Sequence, residues 1–182
     1  MTENTMMCPA CGAKHFVPVK IEGGLPAEQC ANCQGVWMEL ELYRMWRKNR
    51  PHIAAHEFAG EITEVNDVVR LCPATGRMMT RIRVSNENPL LLDYSVAAKA
   101  VWFDKGEWER LVALGLSDQL DAVVSERWQL DLKQAASRER LEKAMRARFG
   151  DSGYEELLRV RDWLSAQPNR LEMIAFLNAK AD

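Results

Sequence analysis

Cys8-Pro9-Ala10-Cys11-Gly12 and Cys30-Ala31-Asn32-Cys33, the latter running into Gly35-Val36-Trp37-Met38-Glu39, decide the fold. The two Cys-x2-Cys pairs have 18 residues between them, a spacing at which two tight turns face one metal ion. Each turn sets two thiolates on one side, and two such turns close a tetrahedron of Zn–S bonds of ~2.3 Å. Cys8, Cys11, Cys30 and Cys33 are therefore the expected ligands of one Zn2+. Four thiolates leave no open coordination position, so the site is structural rather than catalytic in type. Between the pairs, Phe16 to Ile21 reads as a strand, Glu22-Gly23-Gly24 as a turn and Leu25 to Gln29 as the return strand. A fold this small has too little core to stand alone, and apparent zinc binding of ~10–16 kcal/mol is then folding free energy.

The template recurs. Cys72-Pro73-Ala74-Thr75-Gly76 is followed by Ser95-Val96-Ala97-Ala98 and Ala100-Val101-Trp102-Phe103-Asp104. Cys72 lies 64 positions after Cys8, and Trp102 lies 65 after Trp37. A repeat at this period has to be seen before any element is assigned. The positions matching the ligands are now Cys72, Thr75, Ser95 and Ala98, which cannot hold zinc. Met78 to Val84 still alternates as a strand, Asn86-Glu87-Asn88 reads as a turn, and Pro89 to Tyr94 as a short apolar strand. Asp104 with Glu107 forms a capping box that predicts a helix from Lys105, with Trp102 and Phe103 packed beneath it. Without metal this copy must be stabilised by burial, docked on the first copy or on the helices behind it. Cys72 is expected to be a buried, inert thiol.

The pattern CPxCG, then CxxCxGVW, an acidic residue and a helix, resembles the small bacterial zinc ribbons of the transcription-factor-IIB type. Their usual ending is Gly-Val-Trp-Leu-Asp followed by Gly-Glu. Residues 8–48 match in all four cysteines and in Gly35, Val36 and Trp37. They depart at Gln34, where glycine is common, and at Met38-Glu39-Leu40-Glu41. Residues 72–112 lack three ligands, yet Val101-Trp102-Phe103-Asp104-Lys105-Gly106-Glu107 is nearer the family ending. The resemblance implies zinc binding and a ribbon fold, and it leaves the biological task open.

Composition bounds the rest. The chain has 182 residues, 27% charged and 47% hydrophobic, with a net charge of −2. This is the profile of a soluble globular protein rather than an electrostatic binder of nucleic acid or membrane. No apolar run reaches membrane-span length, and the polar Met1 to Met7 leader does not read as a signal peptide. Five cysteines, four of them in CxxC pairs, point to metal and a reducing cytoplasm rather than disulfides.

A helix over 42–50, ended by Pro51, carries Arg44, Arg47, Lys48 and Arg50 beside Trp46. This cluster is the best nucleic-acid candidate, but the helix dipole predicts such charges unaided, and that reading is preferred. His52 and His56 have metal-compatible spacing without a carboxylate partner, so a surface role is expected for them. His15 lies near the first knuckle, where no ligand is missing. From Ser117 the chain reads as helices over 118–148, 154–166 and from Asn169. The first closes at Phe149-Gly150, and Leu157, Leu158, Trp163 and Leu164 of the second are expected inward. Lys133, Arg138, Arg140, Lys143, Arg146 and Arg148 against Glu139 and Glu142 give this stretch a net charge of +4. It reads as a solvated face with i,i+4 pairs, or as a second nucleic-acid stripe through Arg138, Lys143 and Arg146.

The expected architecture is α+β: an N-terminal four-cysteine zinc ribbon, a degenerate zinc-free ribbon and a C-terminal helical bundle. The expected segments are 1–50, a linker over 51–70, 71–116 and 117–182. No nucleophile–base pairing or phosphate loop suggests an enzyme. The expected role is a protein-binding adaptor, with homodimerisation through the C-terminal helices a further reading. Nucleic-acid binding is the alternative, and a zinc-thiolate redox sensor or chaperone is the third.

Overall fold

The computed structural model describes residues 6–49, 68–88 and 90–179. It divides into two compact units, Met1–Lys133 and Gln134–Asp182. Arg50, His52, His56 and the expected linker up to residue 67 lie outside the described residues.

The first unit is built on one six-stranded antiparallel sheet. β1 (Phe16–Ile21), β2 (Leu25–Cys30) and β3 (Val36–Glu39) come from the first copy; β4 (Thr80–Arg83), β5 (Leu91–Ser95) and β6 (Ala100–Phe103) come from the second. Their order is β1-β2-β3-β6-β5-β4. The two copies therefore meet edge to edge, with the third strand of each at the centre. Val36 pairs with Phe103, Trp37 with Trp102, Met38 with Val101 and Glu39 with Ala100.

Alternation along these strands assigns the faces. Val36, Met38, Val101 and Phe103 join Leu25, Ile82, Val84 and Leu92 in the main core. Trp37, Trp102 and Ala100 point the other way, into a second cluster with Cys8, Cys30, Cys72 and Met79. Phe103 packs beneath the following helix as expected, in edge contact with Trp108 at 5.7 Å between ring centroids. Trp102 does not. One residue along a strand reverses the face, and Trp102 covers the metal side instead.

Helices close the main core. α1 (Leu40–Lys48) buries Leu40, Tyr43 and Trp46, one per turn. The Tyr43 hydroxyl donates to the Ser117 carbonyl at 2.8 Å and accepts from the Leu120 amide at 3.2 Å, so its burial leaves no orphan polar atom. α2 (Glu107–Ala113) buries Trp108, Leu111 and Val112. It begins two residues later than the capping box predicts. Glu107 does accept from the Asp104 amide at 2.8 Å, but the Asp104 side chain accepts from Trp102 Nε1 at 2.8 Å and pairs with Arg70, so only half the box forms.

The helix expected over 118–148 is broken. α3 (Leu120–Val123) ends before Ser125, whose hydroxyl accepts from the Trp128 amide at 3.2 Å and caps α4 (Glu126–Ser165). The first turn of α4 guards the sheet edge. The Gln129 side chain accepts from the Arg83 amide at 3.1 Å and donates to the Arg83 carbonyl at 2.8 Å, standing in for a strand beside β4.

The second unit is helical throughout its regular part. α4 is interrupted at Gly150, whose φ of 72° and ψ of 162° are open essentially to glycine alone. This is where the sequence predicts a stop, although helix resumes at once rather than at Tyr154. α5 (Arg170–Asn178) follows Pro168. Neither α4 nor α5 buries a side chain among the described residues. Trp163, expected inward, is 55% exposed, and Leu171 and Phe176 are 74% and 80% exposed. The expected bundle thus has no core of its own among the described residues. No helix there is long and apolar enough to cross a membrane.

Candidate metal centre

Two loops build the centre. In the first, the Cys8 amide donates to the Ala13 carbonyl at 2.8 Å and the Gly12 amide to the Cys8 carbonyl at 2.9 Å. Gly12 sits at φ 75°, where a side chain is strained. In the second, the Gln34 amide donates to the Cys30 carbonyl at 2.9 Å, and the Cys30 amide to the Gly35 carbonyl at 2.9 Å. The Ala31 amide donates to the His15 carbonyl at 3.1 Å, tying the loops together through the His15 backbone.

These turns bring Cys8, Cys11, Cys30 and Cys33 together, with all four Sγ atoms within 4.8 Å of one another. Cys8 Sγ lies 3.5 Å from Cys33 Sγ, and Cys11 Sγ 3.6 Å from Cys30 Sγ. A tetrahedron with Zn–S bonds of ~2.3 Å has S···S edges of ~3.8 Å, so the donor set fits zinc. The separations are far from the ~2.05 Å of a disulfide, and all five cysteines are free thiols.

The electrostatics favour the same occupant. Burial pushes the Cys8 and Cys33 thiols up, against ionisation. Hydrogen bonds from the Asn32 side chain and the Ala13 backbone, outweighing its slight burial, pull the more exposed Cys11 down to about 6. A thiolate at the buried Cys8 requires a compensating cation. A divalent ion with four thiolates supplies it and leaves no place for substrate water.

Residues 7–47 match the transcription factor zinc-finger family, the transcription-factor-IIB-type zinc ribbon. This stretch is a zinc ribbon, and its four-cysteine group is a structural site for one Zn2+. The match stops short of the second copy. No curated protein and no solved structure matches the chain.

In the sequence repeat Cys72 falls 64 positions after Cys8, and its loop has the same pattern of backbone bonds. The Cys72 amide donates to the Arg77 carbonyl at 2.7 Å and the Gly76 amide to the Cys72 carbonyl at 2.8 Å, with Gly76 at φ 67°. Lys99 holds a φ of 49° where Gln34 holds 64°. Cys72 is buried, which pushes its thiol up, but hydrogen bonds with the Ser95 and Thr75 side chains and with the backbone outweigh burial, and the net direction is down. Nearby, Arg70 pairs with Asp93, its Nε 3.1 Å from Oδ2, and with Asp104, while Arg81 reaches Asp93 at 3.4 Å. Sequence reasoning misses this network. Its signal would have been Arg70 at the repeat position of the apolar Met6.

The candidate nucleic-acid residues belong to separate elements, with Arg50 outside the described residues. Arg44 pairs with Asp121 at 2.7 Å, and Arg47 and Lys48 close α1 as its dipole favours. Arg138, Lys143 and Arg146 belong to α4. Arg146 pairs with Glu142 at 3.0 Å and Asp151 at 3.1 Å.

Proposed function

We propose that this protein is a non-enzymatic binding module of the cytoplasm in which zinc holds a rigid sheet and the helices after residue 133 engage another protein. The observation that carries this reading is the apolar surface of those helices. Leu141, Leu157, Trp163, Leu171, Phe176 and Leu177 are all exposed on a unit that buries none of its side chains among the described residues. Exposed apolar surface on this scale marks a binding face. Residues 72–112 are read as a second ribbon that has lost its metal. The support is backbone: knuckle hydrogen bonds and left-handed positions recur at the repeat offset.

Nucleic acid is the weaker reading, because Arg44 and Arg146 are already paired with carboxylates. The test is recovery of bound material by the full chain from its own cytosol. A variant with Leu141→Ser, Trp163→Ser and Phe176→Ser serves as the comparison. A discrete protein retained by the native chain and lost by the variant supports the adaptor. Nuclease-sensitive material that dissociates steeply with salt contradicts it.

A further inference from the structure

The strand pairing of the sheet repeats itself about an axis at the Trp37–Trp102 pair. At the repeat offset of 65, Val36 with Phe103 becomes Val101 with Met38, so the central pairing is one contact read in both directions. Gln29 with Val36 likewise becomes Tyr94 with Val101. The helices keep the same relation in sequence. Trp108 and Glu109 of α2 stand 65 positions after Tyr43 and Arg44 of α1.

The two helices are covered differently. Beside α1 lies the segment that follows α2. The Tyr43 hydroxyl bonds to the Ser117 carbonyl and the Leu120 amide, Arg44 pairs with Asp121 at 2.7 Å, and Leu120 is fully buried. Beside α2 lies a cleft of about 160 Å³, lined by Ile21, Gln29, Val36, Phe103, Trp108 and Glu109 among others. Small-molecule sites run to ~300–1,000 Å³, so this volume suits a short stretch of chain better than a cofactor.

Two groups of the cleft are unmet. Trp108 is buried, and its Nε1 has no hydrogen-bond partner. Trp46, Trp102 and Trp128, by contrast, donate to Gly23, Asp104 and Val84. A buried donor without an acceptor is costly. Glu109 is exposed and has no ion partner among the described residues. Asp104 and Lys105 also border the cleft. Asp104 is already paired with Arg70, and Lys105 holds the repeat position of the buried Leu40, which makes no polar contact there.

We propose that this cleft binds a short segment of another protein, seated against α2 as residues 117–121 are seated against α1. An apolar side chain fills the cleft, a backbone carbonyl accepts from Trp108 Nε1, and a lysine or arginine pairs with Glu109. The repeat sets the sign: Arg44 takes an aspartate, and Glu109 in its place takes a base. The cleft belongs to the first unit, so this goes beyond the adaptor reading of the helices after residue 133 and does not rest on it.

The probe is a synthetic peptide of residues 116–124 carrying Asp121→Arg, titrated into the nitrogen-15-labelled, zinc-loaded full chain. The indole N–H signals report on it. The expected result is a saturable shift of the Trp108 signal with a Kd below about 1 mM. The peptide with Asp121 unchanged should bind about fivefold more weakly, the scale of one exposed ion pair. Glu109→Arg changes an exposed side chain and should reverse the order of the two peptides, with circular dichroism and metal content confirming its fold. No saturable shift with either peptide overturns the proposal, as when the chain's own residues already cover the cleft. Binding indifferent to Glu109→Arg overturns it too. Neither failure bears on the helices after residue 133.

Discussion

Trp102 of β6 lies so close over Gly35 that a Cβ added there would sit 2.1 Å from its ring carbon Cζ2. The indole of the second copy thus closes over the loop that carries Cys30 and Cys33 in the first, with its Nε1 donating to Asp104. Gly35 is required for this contact by space, not by backbone angle. Replacing it with alanine should cost about 1–3 kcal/mol through overpacking. Gly12→Ala strains a left-handed residue but meets no atom within 4 Å. Thermal unfolding of the two variants should show the larger fall in Tm for Gly35→Ala.

Arg70 is the other tie that crosses the second copy. It joins the loop before Cys72 to Asp93 on β5 and Asp104 after β6, and it is 8% exposed. Removing one partner of a buried pair leaves an uncompensated charge, at a cost of about 3–5 kcal/mol. Arg70→Met, which copies Met6 of the first repeat, should lower the denaturant midpoint accordingly. Adding Asp93→Asn should recover part of the loss.

Glu107 gives a pH dependence of known sign. Burial pushes its carboxyl up from 4.5 to about 8, against the hydrogen bond from the Asp104 amide, which favours the charged form. The folded state therefore holds this proton more tightly than the unfolded chain. Its contribution is complete below the ordinary carboxylate value and is lost as pH rises through about 8. Zinc thiolates respond in the opposite direction at low pH, so the comparison must be made as a difference. Glu107→Gln should equal the native chain near pH 5 and exceed it in stability by pH 8 to 9, measured by denaturant titration.

The loop at Cys72 offers a gain-of-function test of the second-ribbon reading. Its backbone hydrogen bonds and left-handed positions repeat those of the first, with Cys72 already at one ligand position. Thr75→Cys, Ser95→Cys and Ala98→Cys together should raise the metal content from one zinc per chain to two. A content that stays at one would count against descent from a ribbon.

The metal centre is legible in the sequence because its information is local. Two CxxC pairs with a strand, turn and strand between them specify the ribbon, and the structure places β1 and β2 where the pattern does. What the sequence conceals is non-local. Nothing in Val36-Trp37 or Val101-Trp102 announces that β3 and β6 pair with each other, and that pairing sets Trp102 beside Trp37 on the cysteine side of the sheet. Ser125 is hard to see as a cap because apolar residues continue on both sides of it. The apolar periodicity after residue 133 reads as a core-facing stripe, but periodicity reports a face that seeks burial and not the surface that provides it.

Zinc stoichiometry under native mass spectrometry, compared between Cys30→Ser and Cys72→Ser, tests the metal centre most directly. One zinc in the native chain and in Cys72→Ser, with zinc and the ribbon's ordered amide signals both lost in Cys30→Ser, is the expected result. A native chain without zinc and with its four ribbon cysteines oxidised in pairs, or a Cys30→Ser variant that keeps its fold without metal, would contradict a structural zinc site.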